Sequence, residues 1–253
     1  MDNFSPAYTA YYNLFYCDKN YALEAEYVAS KIRNILPEAK KILDIGCGTG
    51  MHDVEFVKHG FLIHGIDRSE NMITIAKQNE SDQLHFSCCD ALALQKTERF
   101  DAVVSLFHVI SYITETEDLA KCFRNVNAAL TPGGGFIFDF WYGPAVLKQH
   151  PEKRVRVMRN EIFHVERIAT PVMNEARHVV EVTFDISSLN RKTGQEYSFR
   201  ELHPMRYFFE SELTELLSNA GFAQISFEQF LTGSSIGENT WGVCCIARKE
   251  RQT

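Results

Sequence analysis

The sequence predicts a doubly wound, mostly parallel α/β sheet carrying an antiparallel insert, on three observations. First, a short apolar run (Ile42, Leu43, Ile45) ends in a glycine-rich turn, Lys41 to Gly50 reading KILDIGCGTG, and the residues after it have helical spacing. Second, the apolar stretch Phe61 to Ile66 ends in Asp67, 21 residues after Gly46. Third, between Lys153 and Tyr207 the pattern changes to β-branched and aromatic alternation, broken by turn signals such as Thr193-Gly194.

The first two observations carry chemistry. Glycines at a strand-to-helix junction let the chain turn tightly and let a ligand lie on main-chain N–H groups. An acid at the tip of the second strand is placed to accept hydrogen bonds from a ribose. The spacing therefore points to an adenosine-type nucleoside.

Composition narrows the partners. The 253 residues suffice for one large α/β domain with a substantial insert, and 45% hydrophobic with 23% charged residues is ordinary for a globular chain. A net charge of −7 disfavours a nucleic-acid surface, while leaving room for a small anion held by a few arginines. No run approaches the ~18 apolar residues of a membrane span, and the N-terminus lacks a basic stretch followed by an apolar core, so a cytosolic location is expected. The seven cysteines (17, 47, 88, 89, 122, 244, 245) show no CxxC or Cys/His zinc spacing; reduced, buried thiols and no metal are expected. No repeat or low-complexity linker appears, so residues 1–253 are expected to form a single domain, monomeric or homodimeric.

Asp44-Ile-Gly-Cys-Gly-Thr-Gly50, then Gly65-Ile-Asp67 with Ser69, Met72 and Ala76, resembles motifs one and two of the class I S-adenosylmethionine-dependent methyltransferases. Phe100 to Leu106 resembles that family's fourth strand, and Leu130-Thr-Pro-Gly-Gly-Gly135 its turn into the fifth. The resemblance covers roughly the first 140 residues and implies a Rossmann-like seven-stranded sheet, S-adenosylmethionine as cofactor and S-adenosylhomocysteine as its product. A dehydrogenase usually shows GxGxxG; this chain has GxGxG.

In chain order, residues 1–37 are expected to form a lid and a helix. Tyr8, Tyr11, Tyr12, Tyr16 and Tyr21 either pack this segment onto the core or line a cationic cofactor. Tyr12-Asn-Leu-Phe-Tyr16, with Lys19 and Tyr21, resembles the opening of the sugar N-methyltransferases that act on nucleotide-linked amino sugars. That resemblance marks Tyr12 and Tyr21 for the cofactor and Tyr16 for substrate and catalysis. A helix follows, roughly Tyr21 to Leu36, with Pro37 past its end.

Residues 38–141 form the expected cofactor half. The resemblance assigns Asp44, Gly46, Cys47 and Gly48 to the loop under the methionine end, Asp67 to the ribose, and Arg68 and Met72 to the adenosine flanks. Asp90, after a third strand Leu84 to Cys89, either contacts adenine with Ala91 or caps a helix. The fourth strand delivers Leu106, Phe107, His108 and Tyr112 to the edge where open α/β sheets bind ligands. His108 is a candidate base or a structural histidine; the resembled family's histidine in this loop falls at Tyr112, so both are candidate catalytic groups. DNA amino-methylating enzymes of this fold carry Asn/Asp-Pro-Pro-aromatic here; this chain reads Ser105-Leu-Phe-His108. A helix from Thr116 to about Leu130 is stopped by Pro132 and Gly133, and a fifth strand runs from Gly135 to Trp141.

Trp141 and Tyr142 then open a turn resembling that of the amino-sugar enzymes and are substrate candidates. About four antiparallel strands fill residues 150–208, with eight arginines that are mostly solvated, one or two of them free to clamp a diphosphate. His203, Arg206 and Tyr207 return toward the pocket as further substrate candidates. Residues 209–253 supply a last helix from Glu210 and two strands. The expected activity is in-line methyl transfer to the amino group of a nucleotide-diphosphate-linked amino sugar. The alternatives are a small-molecule N- or O-methyltransferase with a non-nucleotide acceptor, and a non-catalytic cofactor-binding module.

Overall fold

The computed structural model describes residues 4–94 and 99–251. Two helices come first, α1 (Pro6–Phe15) and α2 (Tyr21–Ile35). Ser5 accepts the Tyr8 N–H at the start of α1 with Pro6 in its first turn, and Asn20 accepts the Leu23 N–H at the start of α2. Ten residues make a marginal helix alone. Burial of Tyr8, Tyr11 and Phe15 against Met158, Val165 and Ile186 therefore holds α1 down, at about 1.5–3 kcal/mol for a large apolar side chain. Tyr12, and Tyr16 just past the helix, border this same cluster and also line the cavity, so the two expectations for these tyrosines hold together.

The core alternates β1 (Lys41–Ile45), α3 (Met51–Lys58), β2 (Leu62–Asp67), α4 (Glu70–Ala76), β3 (Leu84–Cys88), β4 (Phe100–Ser105), α5 (Thr116–Ala129) and β5 (Leu130–Tyr142). Strands β1 to β4 are parallel in the order β3-β2-β1-β4, with β5 parallel beside β4. Successive residues point to opposite faces, and both faces are covered, so these strands read as unbroken apolar runs. Leu43, Ile45, Val103, Phe136 and Phe138 pack with α5; Ile42, Ala102, Val104 and Ile137 pack with Val28, Ile32 and Phe56 of α2 and α3.

Two details depart from expectation. β5 begins at Leu130, because Pro132 and Gly133 (φ +77°) produce an irregularity in pairing with β4 rather than a separate turn. After β5, Gly143–Gln149 is a helix, α6, with Pro144 in its first turn, where a turn was expected.

The insert comprises β6 (Arg154–Arg159), β7 (Phe163–Asn174), β8 (Val179–Asn190) and β9 (Glu196–Phe208), an antiparallel meander. β9 joins the core sheet through Trp141 and Tyr142 of β5, paired with Tyr207 and Phe208. Helix α7 (Glu210–Asn219) leads to β10 (Phe222–Gln229) and β11 (Gly242–Lys249), which lies antiparallel on β5. The core order β3-β2-β1-β4-β5-β11-β10 is the expected seven-stranded arrangement, and β6 to β9 are the expected four antiparallel strands. No helix among the described residues is long and apolar enough to cross a membrane.

Candidate active site

One cavity of about 720 Å³ opens at the carboxyl ends of β1, β2 and β4, between the core, α1 and the inner face of the insert. Its floor is the glycine turn. The Gly46 and Cys47 N–H groups donate to Ile66 O (2.7 and 3.0 Å), and Gly48 N–H donates to Asp67 Oδ2 (3.0 Å). Gly46 sits at φ +75°, and a Cβ there would lie 2.4 Å from a Val109 methyl, so the site requires glycine.

Asp67 also accepts the Ser69 N–H on Oδ1 (2.8 Å). Burial raises its carboxyl above the ordinary value despite those two N–H bonds. The loop thus fixes the carboxylate while its remaining lone pairs face the cavity. Gly46, Cys47, Gly48, Arg68, Met72, Asp90, Ala91 and Leu106 line the same end. Asp90 accepts the Leu92 N–H (2.8 Å), so it caps the short 3₁₀ turn and lines the cavity at once.

Asp44 does not line the cavity; it is buried beneath the turn. Its neighbour Asp53, absent from the sequence-level site, is buried against it. Burial, offset in part by His52 and Asp53, lifts Asp44 to about 6, and burial beside Asp44 raises Asp53 well above the ordinary range. The two carboxyls share a dry space and cannot both ionise cheaply.

Aromatic groups form the roof. Tyr12 packs over Gly48, Tyr16 meets Phe107 edge-on at 4.9 Å, and Tyr21 packs on His52 at 4.8 Å. Lys19 lies 4.0 Å above the Phe107 ring and pairs with Glu24. Phe107 and His108 both have positive φ (+65° and +61°), a strained pair at the end of β4. Asp139 of β5 holds it: Oδ1 accepts the His108 N–H at 3.0 Å, and Oδ2 lies 2.8 Å from Nδ1, off the line of a straight hydrogen bond. Burial pushes the Asp139 carboxyl up, but the adjoining His108 ring and backbone N–H outweigh it and hold it below the ordinary range.

Across the cavity the Tyr112 hydroxyl lies 2.9 Å from His203 Nδ1, and His203 Nε2 lies 3.0 Å from Glu201 Oε2. Burial pushes the Tyr112 phenol far above its ordinary range, so it stays protonated. Trp141 also lines this end. The insert sorts its arginines. Arg156, Arg177 and Arg200 pair with Asp18, Glu115 and Asp185 on the outside. Arg167 is buried, lines the cavity and stacks among Phe15, Tyr16 and Phe184 at 4.9, 5.2 and 4.9 Å. It donates to the Tyr16 and Tyr8 hydroxyls (3.2 and 3.5 Å), and among the described residues no carboxylate pairs with it.

Three expected substrate residues do not reach the cavity. Tyr142 points outward and donates to Glu210. Arg206 is held by the Thr114 carbonyl, the Thr116 hydroxyl and Glu212. Tyr207 shares the face of β9 that carries His203 and Met205, but lies where β9 pairs with β5 and is fully buried there with Val146, Val180 and Met205. Sequence reasoning missed Asp139 and Glu201. The signal for Asp139 was an acid standing alone in the apolar run Phe136-Ile-Phe-Asp-Phe140; Glu201 carried none.

A glycine turn under an aspartate-tipped second strand, roofed by tyrosines, defines a site for an adenosyl cofactor with a cationic centre. The comparisons give it a family. Residues 42–134 match a family model described as "Methyltransferase domain". The chain is 30% identical over 213 residues to the dTDP-3-amino-3,4,6-trideoxy-alpha-D-glucopyranose N,N-dimethyltransferase of Streptomyces venezuelae, covering 83% of this chain and 87% of that protein. The crystal structure of Streptomyces venezuelae DesVI superposes with a TM-score of 0.80 at 25% identity, covering 98% and 100% of the two chains. The sugar N-methyltransferase KedS8 from Streptoalloteichus sp shares the fold at a TM-score of 0.83 and 22% identity, covering 99% and 96%. The chain belongs to the S-adenosylmethionine-dependent methyltransferases. Its donor set fits that cofactor: a carboxylate for a ribose diol, Met72 and Leu106 for a flat base, and phenol faces for a sulfonium.

Proposed function

We propose that this enzyme methylates the amino group of an amino sugar carried on a nucleoside diphosphate. The observation that carries the proposal is Arg167. A buried guanidinium facing a ligand cavity without a carboxylate partner is an incomplete ion pair, and a diphosphate completes it. The relatives named above support the choice of acceptor: one acts, by its name, on a dTDP-linked amino sugar.

The cofactor supplies an activated methyl group on a sulfonium; the protein's part is alignment, exclusion of water and handling of a proton. Asp67, Asp90 and Ala91 hold the adenosine end, with Gly46, Cys47 and Gly48 beneath and Asp44 stiffening the turn from below. Tyr12, Tyr21 and Phe107 shield the cationic centre. Tyr16 and Arg167 orient the phosphates, so that the acceptor nitrogen is directed between Tyr112, His108 and Trp141. The test is calorimetric titration of thymidine, guanosine and uridine diphosphates into protein saturated with S-adenosylhomocysteine. Selective binding of the thymidine form is expected. Absence of binding by all three, with the cofactor product bound, would sink the nucleotide-linked acceptor.

A further inference from the structure

Tyr112, His203 and Glu201 lie on two segments remote in sequence, the 3₁₀ turn Val109–Tyr112 after β4 and strand β9. Residues 201 and 203 share a face of β9 by strand alternation and are 8% and 1% exposed; Tyr112 and His203 line the cavity, with Glu201 behind them. Glu201 has a second set of donors. Its Oε1 accepts the Ser5 N–H at 2.9 Å and its Oε2 the Phe4 N–H at 3.2 Å, from the residues entering α1.

These bonds decide where the hydrogens are. Burial pushes the Glu201 carboxyl up, but the bonds from His203 and Ser5 outweigh it and hold it below the ordinary 4.5, so it is an anion at neutral pH. An anion beside Nε2 puts the imidazole proton on Nε2. Nδ1 is then an acceptor, and the Tyr112 O–H must point to it. The oxygen of Tyr112 is left with lone pairs, and no hydrogen, facing the cavity. The ionisable groups around the relay are Tyr8 and Tyr12 of α1, Tyr16 just after it, Arg167 of β7 and Arg68 after β2. None of these is a carboxylate, so Glu201 is the relay's anion.

We propose that Tyr112, His203 and Glu201 form a proton relay that takes a proton from a protonated acceptor amine, and that residues 4 and 5 complete it by capping Glu201. The acceptor N–H donates to the Tyr112 oxygen. As that proton bonds to oxygen, the phenolic proton passes to His203 Nδ1. The result is a neutral amine, a neutral tyrosine and an imidazolium opposite the Glu201 carboxylate. One proton has moved from nitrogen to His203, and it returns to solvent after product leaves. Tyr112 touches the acceptor and is catalytic; His203 and Glu201 act through it. Because residues 4 and 5 precede α1, docking of the N-terminal helix and readiness of the relay are one event. The inference rests on the amine acceptor proposed above.

The experiment is the pH profile of kcat/KM on a dTDP-linked amino sugar for wild type, Tyr112→Phe, His203→Gln and Glu201→Gln, with His108→Gln as comparison. Tyr112→Phe and His203→Gln should lose about 100-fold or more at neutral pH, in the range for general base catalysis, and recover as pH rises and the free amine accumulates. Glu201→Gln should move the rising limb to lower pH and lower its plateau, because the imidazolium loses its counter-charge. Affinity for S-adenosylhomocysteine should change less than twofold in all three. A profile unchanged by Tyr112→Phe but flattened by His108→Gln would overturn the relay and pass the proton to His108 and Asp139. If the wild type methylates no amino-sugar nucleotide, the substrate proposal fails, and nitrogen-15 NMR of the histidines still judges the relay. A His203 signal of the Nε2–H form, displaced by Tyr112→Phe and Glu201→Gln, supports it; one indifferent to both overturns it.

Discussion

Replacing Arg167 by methionine separates a ligand-binding arginine from a structural one. The guanidinium's desolvation costs several kcal/mol. Against this stand three aromatic faces at 4.9–5.2 Å, each about 1 kcal/mol, and two long bonds to phenols, each about 1 kcal/mol. The two sides nearly cancel, so Arg167→Met should change unfolding free energy in urea by less than about 1 kcal/mol. The acceptor feels the full loss. A charge-assisted bond to phosphate contributes about 1.5–3 kcal/mol, which corresponds to roughly 10- to 150-fold weaker thymidine diphosphate binding. The assays are urea denaturation without ligand and titration of the diphosphate into the complex with S-adenosylhomocysteine. A variant that unfolds about 3 kcal/mol more easily, yet binds the diphosphate as wild type does, would refute the reasoning and make Arg167 the clamp of α1.

Gly46→Ala should cost about 2–4 kcal/mol and most of the cofactor affinity, since alanine at φ +75° is strained and its methyl meets Val109 at 2.4 Å; Gly194→Ala, at φ +73° with open space, should cost only the backbone strain of about 1–2 kcal/mol, both read by chemical denaturation. Tyr207→Phe should be neutral or stabilising by about 1 kcal/mol in the same assay with turnover unchanged, because its hydroxyl is buried without a partner among the described residues. The Asp44–Asp53 pair takes up a proton on folding, its folded values lying above the ordinary 3.8, so stability falls as pH rises from about 4 through about 6. Asp53→Asn should flatten that fall between denaturation curves at pH 5 and pH 8. Cys17 and Cys88 should react with a thiol reagent in the native state while Cys122, Cys244 and Cys245 wait for unfolding.

Local chemistry made the cofactor end legible. A left-handed backbone demands glycine within its own residue, a buried parallel strand demands an unbroken apolar run, and an acid at a strand tip is fixed by counting residues from the turn. The sequence by itself therefore determined the α/β core, the turn from Gly46 to Gly50, Asp67 at the end of β2, and four antiparallel strands before the last helix. It also placed Tyr12, Tyr16, Tyr112 and His203 on the cavity without their partners. What it could not supply were pairings set by which strands neighbour one another. Tyr112 meets His203 across 91 residues, Ser5 meets Glu201 across 196, and His108 meets Asp139 across 31. Arg206 and Tyr207 look as eligible as His203 in sequence; the alternation of β9 turns Arg206 to the other face, and the pairing of Tyr207 with β5 buries it. Arg167 is one of eight similar arginines until α1 folds over it. Spacing encodes residues that share a strand or a turn, whereas a partner on another element, and the burial that changes a side chain's charge, exist only once the sheet has closed.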